Sequence, residues 1–263
     1  MSTSDDEKYI VPALQRGLEL LATFTRDTRE QNGADLARKL DLPRASVFRT
    51  LHTLERAGFV ERVGDSVNYR LGLGVLRLGF EYLASMELTE HGRTVLEQLS
   101  ATCGYSSHLV VRDQQQVVFI AKAVGRNAQF HSIQVGARLP AYATVLGRLL
   151  MSDLDMAGLS ALYPETPLAR FTQFTPTTLP QLKAMIDAHR KEGFAISQSG
   201  FETGISTIAA PVINDRHQVV AAVSITVPAQ QVPAEQAKLL VSQVQHAATV
   251  LSNRISHMPQ NGG

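Results

Sequence analysis

The 263-residue sequence predicts an α+β chain, helical in its first third and sheet-rich afterwards. Three observations carry this. A helix with both ends marked spans Leu42 to Phe59, with a short helix and a tight turn before it. Two short β-prone runs around Gly64-Asp65-Ser66 follow at once. Beyond Thr102 the hydrophobic period changes from helical to alternating, and further helices gather between and after the strands.

The long helix comes first. Pro43 suits the first helical position, where a missing N–H costs nothing, and Gly58 suits a left-handed stop. At about 100° per residue, Val47, Phe48, Leu51 and Leu54 gather on one side as a core face. Ala45, Ser46, Arg49, Thr53 and Arg56 gather on the other, with His52 at its edge. Small residues, hydroxyls and guanidinium groups on one face suit a DNA major groove, which offers base edges to donors and phosphates to cations. Upstream, Gly33 to Leu40 reads as a short helix with Leu36, Ala37 and Leu40 inward, and Asn32 is a candidate cap. Asp41-Leu42-Pro43 turns into the long helix, which completes a helix-turn-helix. Phe59–Val63 and Val67–Leu71 flank the Gly-Asp-Ser turn as a hairpin. A helix-turn-helix followed by a hairpin is a winged helix, and Arg62 and Arg70 on its strands serve either to reach phosphates or the minor groove or as ordinary strand-surface charge. Pro12 to Phe24 is the first helix, with Leu14, Leu18 and Leu21 expected to pack on Leu51 and Leu54.

Leu71 to Ala84 then reads as a helix in which Leu73, Leu76, Phe80 and Leu83 form a heptad-like seam. So apolar a surface beside a small domain calls for a partner, either its own chain or a second copy, and pairing with a second copy would set two DNA-binding heads on a two-fold axis. Thr89 to Thr102 is a further helix, with Leu88, Val95 and Leu99 on one side. Strands are expected at Ser106–Arg112, Gln116–Ala123, Gln129–Val135, Phe194–Ser199, Ile205–Ile213 and Gln218–Val227. Helices are expected at Val145–Met151, Leu179–Glu192 and Ala234–Ile255. Consecutive hairpins predict a mostly antiparallel sheet. The expected domains are a winged helix over 9–71, a linker and dimerisation helix over 72–87 and a ligand-binding domain over 88–258. Residues 1–8 and 259–263 are expected to be disordered ends.

Composition narrows the function. One cysteine, Cys103, gives neither a disulfide framework nor a thiolate metal site and fits a reducing cytoplasm. The sequence holds no 18-residue apolar run, so no membrane partner is expected. Net charge is +1, unevenly spread: Lys8 to Arg70 holds 11 Lys and Arg against 8 Asp and Glu. That bias suits a DNA-facing first domain. The nucleotide-binding glycine loops, the G-x-S-x-G elbow, H-E-x-x-H and C-x-x-C are all missing, and the eight histidines show no metal-ligand spacing. No catalytic residue, metal or cofactor is therefore assigned, and the chain reads as a binding protein rather than an enzyme. Two alternatives stay open on the residues alone: a winged helix serving as a protein-interaction module, and a second domain with cryptic enzymatic activity. A ligand pocket is legible. Thr144 before Val145-Leu146-Gly147 looks like a helix start with free amides, and Ser197, Thr207, Ser224 and Thr226 put hydroxyls on three strands.

Five motifs in order carry a resemblance over about Tyr9 to Ile255. They are Ala13–Leu21, Leu42–Leu51, Tyr69–Gly72, Gly136–Arg148 and Gly204–Val212. With these the chain resembles the IclR family of bacterial transcriptional regulators. The resemblance implies a winged helix-turn-helix head, a linker helix and a GAF-like effector domain. It implies a homodimer, or a dimer of dimers, on palindromic double-stranded promoter DNA, and a small organic acid as effector. Repression of some other small-metabolite pathway is an alternative within the same architecture. On the reading of the helix face and hairpin, the DNA-facing residues are Arg44, Ala45, Ser46, Arg49, Thr50, Thr53, Arg62 and Arg70. Carried over by motif, the effector residues are Ala128, His131, Leu139, Val145, Leu146, Ser197, Ile205, Thr207, Ser224 and Thr226, with the amides of Val145 and Leu146 holding the acid. Thr207 stands where many relatives carry Cys, and Glu202 is all that remains of an acidic run before Gly204. His131 and Tyr142 suit an aromatic acid, and packing accounts for both equally well.

Overall fold

The computed structural model describes residues 9–25, 27–85, 87–127 and 133–255. The expected disordered ends, and the candidate effector residues Ala128 and His131, lie outside them. The chain divides into two compact units, Met1–Ser85 and Met86–Gly263.

The first unit opens with α1 (Pro12–Ala22). A two-residue strand β1 (Gln31–Asn32) leads into α2 (Gly33–Lys39), capped as expected by Asn32, whose Oδ1 accepts from the Asp35 amide at 2.9 Å. α3 (Arg44–Arg56) starts one residue after Pro43 and gives way to Gly58 at φ +77°. β2 (Val60–Arg62) and β3 (Asn68–Leu71) form the hairpin, and β1 joins them in an antiparallel sheet of order β1-β3-β2. Leu20, Phe24, Leu36, Val47, Leu51, Val60 and Tyr69 make the core.

Two expectations are corrected here. Leu14 and Leu18 are 62% and 59% exposed, and α1 instead buries Gly17 and Leu20. The helix approaches α3 through its glycine: a Cβ on Gly17 would lie 3.8 Å from the Thr50 methyl. Phe48 is 60% exposed, since Val47 and Leu51, with partly buried Leu54, already fill the inward arc of α3. After β3, the amides of Gly72 and Gly74 bond to the carbonyls of Phe59 (2.9 Å) and Gly58 (2.8 Å). A Cβ at either position would come within 2.7 Å of the Gly58 oxygen, so only glycine allows the turn. It launches α4 (Leu73–Ser85), on which Leu73, Leu76, Leu78, Phe80 and Tyr82 are all exposed.

The second unit begins with α5 (Glu87–Cys103) and a hairpin of β4 (Ser106–Asp113) and β5 (Gln116–Ala123). The third strand was expected at Gln129–Val135, of which 129–132 lies outside the described residues. Within the described part of that stretch, 133–135 is not a strand, because the chain turns through Gly136, at φ +87°, whose amide bonds to the Phe119 carbonyl at 2.7 Å. The strand paired with β5 is β6 (Arg138–Pro140). Helices α6 (Val145–Leu150), α7 (Met156–Leu162) and α8 (Leu179–Glu192) follow; α7, capped by Asp155, was not expected. Then come β7 (Ala195–Gln198), β8 (Ser206–Ile213), β9 (Val219–Val227) and the closing helix α9 (Ala234–Ile255). The sheet is antiparallel throughout, in the order β6-β5-β4-β9-β8-β7. α5 and α9 pack on one face through Val95, Leu96, Leu99, Leu240, Val244 and Leu251. The other face carries α6, whose Leu146 and Leu149 join Val110, Phe119, Ala209 and Ala222 in one cluster. No helix among the described residues is long and apolar enough to cross a membrane.

Candidate functional sites

On the first unit, the exposed stripe of α3 is Arg44, Ala45, Phe48, Arg49, His52, Thr53 and Arg56. Four of the residues assigned to DNA, Arg44, Ala45, Arg49 and Thr53, stand on it, and Ser46 is half-buried at its margin. Thr50 turns instead toward α1: its methyl faces Gly17, and its hydroxyl donates to the Ser46 carbonyl at 3.0 Å. Thr53 likewise donates to Arg49 O at 2.9 Å. The hairpin arginines are held within the unit. Arg62 Nε lies 3.5 Å from Glu55, with its guanidinium 5.2 Å over the Tyr69 ring, and Arg70 Nε donates to Glu61 at 2.6 Å. Exposed pairs of this kind are worth about 0–1 kcal/mol, so a phosphate can replace either carboxylate at little cost.

On the second unit, strand register assembles a row of hydroxyls. Ser197 lies opposite Thr207, and Thr207 opposite Thr226. Ser224, two residues back along β9, shares the face of Thr226. Among the described residues none of these four hydroxyls has a hydrogen-bond partner. Over them sits the first turn of α6. Thr144 Oγ1 accepts from the Gly147 amide at 3.1 Å, whereas nothing among the described residues accepts from the amides of Val145 and Leu146. Gly147 is required: a Cβ there would lie 2.1 Å from the Ala141 oxygen, so glycine lets the turn press down on the preceding segment. The cavity so formed holds about 650 Å³ of atom-free space, part of it open to solvent.

Leu139, Val145, Leu146, Ser197, Ile205, Thr207, Ser224 and Thr226 all line this cavity. Tyr142 does not. It is buried, donates its hydroxyl to Ala169 O at 2.8 Å, and meets Tyr163 edge-on at 5.7 Å, so it is a core residue. Phe119, Ile133, Phe201 and Glu202 line the cavity without having been anticipated. The register between β4 and β5 shifts at Leu109/Val110, so alternation counted back along β5 from Ala121 and Ala123 misplaces Phe119. Phe201 and Glu202 stand on a loop folded back through Ser199 (φ +57°) and Gly204 (φ +83°), where no period exists to read.

Two buried polar groups flank this site. His108 is 1% exposed, lies opposite Ser224 in the sheet and meets Phe119 edge-on at 5.5 Å. Neither of its ring nitrogens has a partner among the described residues. Burial, and then the Lys122 cation, depress its pKa to about 4. Arg148, buried on α6, donates to His189 Nε2 at 3.3 Å and to Tyr142 O at 3.2 Å, tying α6 to α8. Burial lowers its pKa to about 10, while burial and the Arg148 cation lower that of His189 to about 4. No cluster of three metal-ligating side chains occurs among the described residues.

A winged helix-turn-helix on one unit and a hydroxyl-lined cavity on the other define a ligand-responsive, DNA-binding transcriptional regulator. Comparison with known proteins agrees. Residues 80–253 match the family described as bacterial transcriptional regulator IclR C-terminal, and residues 13–64 match the IclR helix-turn-helix domain. The chain belongs to the IclR family. It is 28% identical to the regulator XynR of Escherichia coli, over 94% of this chain and 98% of that one. It is 29% identical to the repressor AllR of Klebsiella pneumoniae, over 94% and 91%. Among solved structures, a Rhodococcus sp. RHA1 protein described as a transcriptional regulator is 33% identical, with TM-score 0.80 over 94% of this chain and 99% of that one. An IclR homologue from Microbacterium hydrocarbonoxydans, solved with 4-hydroxybenzoate, has the same fold at 22% identity, with TM-score 0.80 over 94% and 100%.

Proposed function

We propose that this regulator binds palindromic promoter DNA as a homodimer or dimer of dimers, and that a small carboxylic acid in the second unit controls it. The working parts are a winged helix over 9–71, a linker and pairing helix over 72–87 and an effector domain over 88–258. One observation carries the reading. Residues far apart in the chain converge on one cavity that offers two free amides and four free hydroxyls between apolar walls. Amides and hydroxyls solvate a carboxylate, and Phe119, Phe201 and Leu139 suit an apolar or aromatic body. Glu202 in the same lining repels a second carboxylate and accepts from a hydroxyl, which favours a hydroxylated mono-acid. The 4-hydroxybenzoate held by the Microbacterium relative is of this type. Arg44, Ala45, Ser46, Arg49 and Thr53 face the major groove, and Arg62 and Arg70 trade their carboxylates for phosphates. The acid acts by favouring one arrangement of the paired heads over another.

The test is a thermal-shift and calorimetric screen of the full chain against acetate, pyruvate, succinate, benzoate, phenylacetate and 4-hydroxybenzoate. An acid at 100 times its Kd adds about 2.7 kcal/mol of apparent stability. Ser224→Ala combined with Thr226→Ala is expected to lower affinity for the hit roughly ten- to hundredfold, since hydrogen bonds to a charged group are worth about 1.5–3 kcal/mol. DNA affinity without the acid should be unchanged. Undiminished acid binding by the double variant would refute the pocket assignment.

A further inference from the structure

The exposed stripe of α3 contains one residue that neither its fold nor its charge explains. Phe48 is 60% exposed, one turn after Arg44 and one turn before His52. It shares a surface groove with Arg44, Arg62, Val67 and Tyr69, and Val67 at the hairpin tip is itself 72% exposed. An aromatic ring held in water is unfavourable and contributes nothing to the core of this unit. Its surroundings narrow what can cover it. Arg44, Arg49 and Arg62 are permanent cations around the ring or beside it in sequence. A second copy of the same face would bring the same cations and be repelled. A polyanion that presents apolar groups between its charges fits both features. Duplex DNA does this in its major groove, where the C5 methyl of thymine is the apolar group on the base edges.

We propose that Phe48 is a specificity-determining residue that packs on a thymine methyl in the operator, between arginines that hold the flanking phosphates. The proposal rests on the reading that α3 enters the major groove. It predicts a binding preference that the polar residues of the stripe do not produce.

The experiment selects a preferred site from a random duplex library with the full-length protein. Each thymine in that site is then replaced by deoxyuridine, which removes only the methyl. Binding by the wild type, Phe48→Ala and Arg49→Ala is measured at one salt concentration. At one position per half-site, deoxyuridine should weaken the wild type at least threefold. Phe48→Ala should weaken binding to the unmodified site by at least the same factor and be insensitive to deoxyuridine there. Equal sensitivity of wild type and Phe48→Ala at every thymine overturns the proposal, as does a preferred site without thymine. If that happens while Arg49→Ala still weakens selected over random DNA, the groove reading of α3 stands and Phe48 alone falls. If neither variant alters binding, or no sequence is selected, the groove reading falls with it.

Discussion

The two candidate sites are built in opposite ways. The exposed stripe of α3 comes from 13 consecutive residues, and one helical period determines which of them point outward. The cavity of the second unit draws on residues from Phe119 to Thr226, joined through five strands, the first turn of α6 and two loops. A locally built face tolerates change: its side chains are exposed, its ion pairs are weak, and a substitution there alters recognition before stability. A cavity assembled over long range does not, because its shape is the packing of the unit.

The largest effect expected from that contrast is at Gly147. Gly147→Val puts a side chain where the Ala141 backbone already lies 2.1 Å from an ideal Cβ. Destabilisation of the second unit by about 3 kcal/mol or more is expected, read as an earlier melting transition, with loss of acid binding. Melting like wild type would mean that α6 is free to move and that the cavity is not held by packing.

The next effect is in pH. The folded pKa of His108 is about 4, below the ordinary value of 6.5. The unfolded chain therefore takes up a proton before the folded one does, and stability falls as pH drops from 6.5 to 4, then levels off for this group. On the order of 3 kcal/mol is at stake for His108, and His189 acts in the same direction. In Phe48→Ala this dependence should persist, whereas in His108→Phe the slope of unfolding free energy against pH should drop by up to one proton. An unchanged slope in His108→Phe would mean that the ring is hydrated in the folded protein.

Smaller still is Arg49→Ala, expected to weaken operator binding by roughly 1–3 kcal/mol while leaving acid affinity and melting unchanged. Equal losses in DNA affinity and stability would erase the distinction between the two kinds of site.

Elements with local signals were legible in the sequence. The Asn32 cap, the turn into α3, the hairpin around Gly64-Asp65-Ser66 and the α8 boundaries at Leu179 and Glu192 each depend on a few adjacent residues. Most of the cavity lining was also named, because hydroxyls on alternating strand positions and a capped helix start are visible as patterns. The errors share a cause. Leu14, Leu18 and Phe48 satisfy helical periodicity as well as Leu20 and Val47 do, and only the approach of a neighbouring helix decides which of two adjacent apolar arcs is covered. Tyr142 looked available as an aromatic contact, but its hydroxyl is taken by Ala169.

What the sequence determined by itself was the order and kind of most elements, the winged-helix head and the antiparallel sheet but not β6 or α7, since propensity, capping and period act over one or two turns of chain. Tertiary structure alone decided three further things: the register shift that brings Phe119 to the cavity, the loop that carries Glu202 to its lining, and the burial of His108 opposite Ser224. Each depends on register or closure between segments distant in the chain, and such contacts form only when the whole core packs at once.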